Sequence, residues 1–273
     1  MQLLKRLFGF YIQASIHVAL AVLALLLVTN LMFYIPFDNA IAGFVFFGTV
    51  FGYNFIKYEV FFRQKLQFRK ALTPILTLSL FAFLVCGYFF FQLKFKTQVA
   101  ALVFFGLTFL YTVPLFSTQT NMRNWSGIKI YVVAFCWSGV TILLPVINFG
   151  MEIYKDIYIK FCQRFLLVIV LILIFEIIDL KKDDPDLLTV PQKIGISKTK
   201  ALGYLLLISF YILEFFKSNV EHVQLLVNFI LVVITTLFLH FSNENRNRYY
   251  TAFWVESIPV LWLALIIGFR QLF

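Results

Sequence analysis

Glu176, Asp179 and Asp183 stand at spacings i, i+3 and i+7 within FEIIDLKKDDPDLLTVP, residues 175–191. The chain has 13 acidic residues, and five of them, these three with Asp184 and Asp186, fall within 11 positions. On a helix, side chains at this spacing share one face. Three like charges on one stripe repel each other unless a cation sits among them. A hard ion such as Mg2+ takes carboxylate oxygens and commonly binds substrate phosphate at the same time. The plainer alternative is a solvated segment that ends a helix, which Pro185 would also suit. Asp184 and Asp186 are read that way, while for Asp179 and Asp183 spacing alone leaves both readings open. Directly upstream runs RFLLVIVLILIF, residues 164–175, and ionisable groups bordering such a segment are functional candidates.

The elements that position these groups follow from composition. The chain is 62% hydrophobic and 13% charged, with a mean hydropathy of +0.90. A soluble domain is nearer half apolar and a quarter charged, and 273 residues have too little interior to hide this excess. The sequence therefore predicts an all-α polytopic membrane protein forming a single transmembrane domain over 1–273. Runs of ~20 apolar residues cross a bilayer as helices. Nine are expected, at about 8–33, 39–61, 72–92, 98–116, 128–149, 159–180, 201–216, 223–241 and 251–269. The runs are continuously apolar without period-2 alternation, which favours helices over a barrel. The run after Lys5 and Arg6 is too long for a signal peptide and lacks a small-x-small cleavage site, so it is read as a retained first helix. Tyr249, Tyr250 and Trp254 suit the membrane interface. Cys86, Cys136 and Cys162 are scattered and form no CxxC pair, and His17, His222 and His240 have no metal-site spacing.

Nine spans place the termini on opposite sides. Sixteen of the 23 Lys and Arg then fall on the side of the N-terminus and seven on the other, so the positive-inside rule puts the N-terminus in the cytoplasm. The acidic stretch follows span six on the same side. The net charge of +10 is read as topology and attraction to anionic membrane lipid. No nucleic-acid motif is present, and a basic cytoplasmic face favours a polyanionic substrate.

Asp179-Leu-Lys-Lys-Asp183, then Thr189-Val-Pro191, then Gly195 resembles the second signature of the UbiA superfamily of intramembrane prenyltransferases, Asp-x-x-x-Asp at the end of helix six. Glu176 holds the acidic position three before the first Asp, and Lys198 and Lys200 open span seven as in the family. The resemblance spans nearly the whole chain through helix count, orientation and motif position. It implies that Asp179 and Asp183 are catalytic and, with Glu176, hold Mg2+.

The family's first signature, Asn with Asp four and eight residues later, falls on FGYNFIKYEVFFRQ, residues 51–64. Asn54 is present, but Tyr58 and Phe62 stand where the carboxylates are expected. At about 100° per residue, Tyr58 lies roughly 40° from Asn54 and Lys57 roughly 60° the other way, whereas Glu59 is about 140° off. Asn54, Lys57 and Tyr58 are thus the expected diphosphate-facing set, with Lys57 replacing part of one metal's charge. Its alternative role is positive-inside topology. A third family feature, Tyr-Pro followed by Lys, is matched by Tyr111 and Pro114, then Arg123 and Lys129, the last two being candidate diphosphate ligands.

The resemblance implies transfer of an isoprenoid group from a prenyl diphosphate to an aromatic or lipid acceptor, and the missing first-motif carboxylates lead us to expect one Mg2+ rather than two. The apolar bundle would hold the isoprenoid and exclude water. The expected setting is the plasma (inner) membrane of a bacterium, with the site facing the cytoplasm. The missing first-motif carboxylates leave open a non-catalytic paralogue that binds isoprenoid lipid or a partner enzyme. A transporter is disfavoured because no internal repeat is evident and Glu214 is the nearest approach to a mid-span ionisable group. The longer Asp/Gly/Arg signature of CDP-alcohol phosphotransferases is absent.

Overall fold

The computed structural model describes residues 2–63, 72–112 and 127–272. Every regular element among them is helical. In chain order these are α1 Gln2–Gln13, α2 Ile16–Met32, α3 Asn39–Arg63, α4 Thr73–Phe90, α5 Phe95–Thr112, α6 Ile128–Ser138, α7 Leu144–Phe149, α8 Lys155–Asp179, α9 Val190–Leu213, α10 His222–Phe241 and α11 Ile258–Leu272. A π-helical turn, Gly139–Leu143, joins α6 to α7, and a second, Tyr250–Val255, precedes α11. Among the described residues seven helical runs are long and apolar enough to cross a membrane, and the bent pair α1 and α2 makes an eighth. Phe95–Leu110 is a shorter apolar helix at the place of expected span four. The helices are consistent with nine spans, and the protein is an all-helical integral membrane protein.

α8 is the hub. Leu167, Val170, Ile174 and Ile177 on it are buried against Leu25 and Val28 of α2, Leu231 of α10 and Trp262 of α11. Lipid tails are as apolar as these side chains, so packing density rather than hydrophobicity must hold the helices together. Gly139 shows how closely they approach: a Cβ there would meet the Phe104 ring at 2.0 Å. Any larger residue there would force the Phe104 ring of α5 to move. Large apolar residues left exposed by the packing, such as Phe81, Leu84, Phe105 and Leu237, suit a lipid-facing surface.

Three elements depart from the sequence-based boundaries. The first apolar run is not one helix, because it breaks at Ser15, in the left-handed conformation at φ 59°, and bends by 56°. Span six ends at Asp179, so Asp183 lies in the turn beyond it rather than on the helix. Span seven starts earlier than 201, at Val190, with Pro191 in its first turn and an interruption at Gly195, φ 80°. Thr189-Val-Pro191 is thus a helix start. Gln192 accepts the Thr189 N–H at 2.8 Å, and proline loses nothing in a first turn, where its missing N–H is not needed.

Candidate functional site at the end of the central helix

A cavity of about 320 Å3 opens where α8 ends. Its walls come from α3 (Tyr53, Ile56), α5 (Thr108), α6 (Val132, Val133, Cys136, Trp137), α8 and the start of α11. Trp137 donates its indole N–H to the Tyr53 hydroxyl at 2.7 Å, tying α6 to α3 across the wall. α8 contributes Val168, Leu171, Ile172 and Phe175, and then Glu176 and Asp179, with Asp183 just beyond. The lower wall is therefore apolar and the rim is acidic.

The structure brings Asp179 and Asp183 together on this rim although Asp183 has left the helix. The Asp183 N–H bonds to the Asp179 carbonyl at 2.9 Å, which keeps the next residues within one turn of α8. Asp179 pairs with Lys182 at 3.0 Å, both side chains being substantially solvent-accessible. An exposed pair of this kind contributes ~0–1 kcal/mol, so a ligand can displace it.

Glu176 behaves differently from the expected metal ligand. It is 3% exposed, and its Oε2 accepts the Val190 N–H at 3.1 Å. That N–H belongs to the first turn of α9, where the helix dipole favours a carboxylate. Glu176 thus fastens α9 to α8. Among the described residues no three His, Cys, Asp or Glu gather closely enough to hold a metal ion, so the three-carboxylate ligand set expected from the spacing is not assembled. The donor chemistry still fits Mg2+, which is commonly held by one or two carboxylates with substrate phosphate and water completing its shell. Asp179 and Asp183 are the two carboxylates at the rim that could serve it.

The first-motif residues are turned elsewhere. The break at Ser15 leaves carbonyls at the corner between α1 and α2, and the α3 side chains serve them. Asn54 Nδ2 donates to the Ala14 carbonyl at 3.1 Å and to Ser79 Oγ at 2.9 Å. Lys57 Nζ and Tyr58 OH both donate to the Gln13 carbonyl at 3.1 Å. The cavity-lining residues of α3 are instead Tyr53 and Ile56, a neighbouring face of the same helix. The expected diphosphate-facing set is thus directed at the helix break, because sequence spacing fixes which residues share a face but not which way the face turns. Arg123 lies outside the described residues. Lys129 sits in the first turn of α6, and its side chain is not among those described.

Asn54 is buried, at 2% exposure, and its two donated bonds include one to a freed backbone carbonyl. Asn54→Leu is expected to lower stability by about 1–3 kcal/mol, the cost of leaving such a group unsatisfied. Thermal unfolding in detergent would show it, and an unchanged midpoint would contradict the role.

Glu256 was not singled out by any motif. It follows the π turn Tyr250–Val255 and lines the cavity with Val255 and Pro259. His17 pins both flanks of this turn. Its Nε2 donates to the Phe253 carbonyl at 2.9 Å and lies 3.1 Å from Ser257 Oγ, while Nδ1 accepts from Tyr11 OH at 2.7 Å. The carbonyl can only accept, so Nε2 carries the hydrogen.

No family model matches the sequence, and comparison with curated proteins gives no match. Solved structures do match. A UbiA homologue from Aeropyrum pernix K1, in its apo form, superposes with a TM-score of 0.67 over 94% of this chain and 98% of that one, at 11% identity. The chain has the UbiA-type fold. A UbiA homologue from Archaeoglobus fulgidus, bound to GPP and Mg2+, gives a TM-score of 0.62 with the same coverage at 13% identity. The helical arrangement is thus shared although almost no sequence is.

Proposed function

We propose that the protein is an intramembrane prenyltransferase that moves an isoprenoid group from a prenyl diphosphate to a hydrophobic aromatic or lipid acceptor. The observation that carries this reading is the joining of Asp179 and Asp183 to an apolar cavity within a UbiA-type fold. The Archaeoglobus fulgidus homologue, bound to GPP and Mg2+, supports the ligand class. Among the described residues lining the cavity are four carboxylates, Glu176, Asp179, Asp183 and Glu256, and no Lys, Arg or His. A diphosphate would be repelled from such a rim without a divalent cation. Asp179 and Asp183 are assigned to hold one Mg2+, which when bound supplies positive charge to the departing diphosphate. The apolar wall of Val168, Leu171, Ile172 and Phe175 receives the isoprenoid and keeps water away from it. Lys129, in the first turn of α6, and Arg123 are retained as candidate diphosphate ligands. The rim is assigned to the cytoplasmic face by the positive-inside rule.

One observation favours a second reading, isoprenoid binding without turnover. Position 58 holds a tyrosine where the first signature has a carboxylate, and Asn54 is engaged with the α1–α2 corner. The two readings part in one experiment. Purified protein given geranyl diphosphate and Mg2+ is expected to release diphosphate, and chelation of the metal is expected to stop it. Metal-dependent binding without release would favour the second reading, and neither binding nor release would remove both.

A further inference from the structure

We infer that the donor carries a short isoprenoid of ten to fifteen carbons, because a buried polar tier closes the cavity beneath Val168 and Trp137. The inference rests on the reading of the cavity as a prenyl-transfer site and adds the length class of its donor. Val168, Leu171, Ile172, Phe175, Glu176 and Asp179 form the stripe of α8 that faces the cavity. At a rise of 1.5 Å per residue, Val168 lies about 16 Å below Asp179 along the axis. One turn deeper, the next position on this face is Arg164, which is 1% exposed and lies outside the cavity lining.

The Arg164 guanidinium reaches across the bundle. Its Nη1 donates to the Leu25 carbonyl at 2.8 Å and to Thr141 Oγ1 at 2.9 Å, and the group lies over the Trp262 ring at 5.0 Å. Thr141 donates in turn to the Trp137 carbonyl at 2.7 Å, and Trp137 is bonded to Tyr53 across the wall. One level of α2, α3, α6, α8 and α11 is thus braced by polar contacts. The turn beyond it on α8 holds Lys160 with Glu214. A hydrocarbon chain could enter this tier only by leaving buried donors unpaired, which is unfavourable. Volume sets a similar bound. A cavity of about 150 Å3 holds benzene, roughly 25 Å3 per carbon. On that scale the cavity of about 320 Å3 takes about 13 carbons. Geranyl fits, farnesyl is at the limit, and geranylgeranyl exceeds it.

Non-hydrolysable thiodiphosphates with geranyl, farnesyl and geranylgeranyl chains are titrated into the full-length protein in detergent with Mg2+. The wild type is expected to bind the geranylgeranyl analogue at least ~10-fold more weakly than the geranyl one. Trp137→Ala removes an indole from the wall and should narrow that gap to within ~3-fold. Val133→Trp adds an indole at a half-buried lining position. It should weaken farnesyl binding at least ~10-fold while sparing geranyl, and it serves if Trp137→Ala does not fold. Partition of a chain into detergent is the same for every variant, so a change in the gap reads the cavity. Equal wild-type affinity for geranyl and geranylgeranyl, or a gap that neither substitution moves, would overturn the inference and leave the prenyl-transfer reading in place. The corresponding alcohols are titrated separately. A length limit among the alcohols, with no Mg2+-dependent binding of any thiodiphosphate, would remove the prenyl-transfer reading and support the closed cavity. Binding of no chain in either form would remove both.

Discussion

Glu214→Gln is expected to destabilise the protein by about 3–5 kcal/mol, the usual result of removing one partner from a buried ion pair. Glu214 has a fully buried side chain and lies in the short helical turn Glu214–Phe216 that continues α9. Four donors converge on it. Lys160 Nζ is at 2.5 Å, Gln163 Nε2 and Asn228 Nδ2 are each at 2.9 Å, and Lys217 Nζ is at 3.1 Å. They come from α8, α10 and the segment after α9, so one carboxylate holds three elements together. Without its charge, two ammonium groups would remain in a region with almost no water to receive them. Arg164, one turn along α8, adds a third buried cation, bonded to the Leu25 carbonyl at 2.8 Å and Thr141 Oγ1 at 2.9 Å and stacked on Trp262 at 5.0 Å. The midpoint of thermal unfolding in detergent should fall by on the order of 10 °C. Adding Lys160→Met to Glu214→Gln should recover at least half of the loss, because the cost lies in the uncompensated charge. A double variant no better than the single would place the cost in packing instead.

This network shows where sequence reading stops in an apolar chain. The span order was legible because long apolar runs have one use in a protein of this composition, and the Asp179-x-x-x-Asp183 pair was legible because carboxylates are rare in it. Glu214, Lys160 and Lys217 were each visible as isolated charges near span ends, but nothing in their spacing announces that they meet: Lys160 and Glu214 are 54 positions apart. The break at Ser15 was hidden in a continuous apolar run, since neither glycine nor proline marks it. Asn54 shows the same limit on a smaller scale. Its spacing to Lys57 and Tyr58 correctly groups the three on one face of α3, yet the bend of α1 against α2 decides what that face meets. Glu256 could have been flagged as a lone acid inside span nine, a signal of the same kind as the one that drew attention to Asp179.

The largest effect on activity is expected at the rim of the cavity. Asp179→Asn and Asp183→Asn keep shape and remove charge, and each should lower Mg2+-dependent diphosphate release from geranyl diphosphate at least ~100-fold, equivalent to about 2.7 kcal/mol. If the two carboxylates hold one ion, the double variant should fall little further than the worse single one, since groups acting as a unit are not additive. Glu176→Gln separates the rim from its support. A glutamine carbonyl oxygen can still accept the Val190 N–H, so this variant should stay within a few-fold of the wild type. A loss as deep as that of Asp183→Asn would return Glu176 to the metal set. Unfolding midpoints measured alongside should stay near that of the wild type for both aspartate variants. Neither side chain is buried, and the pair that Asp179 makes with Lys182 is exposed and weak. Lost release at intact stability would therefore tie the rim to diphosphate departure, whereas release that survives both substitutions would leave the cavity as a lipid-binding site.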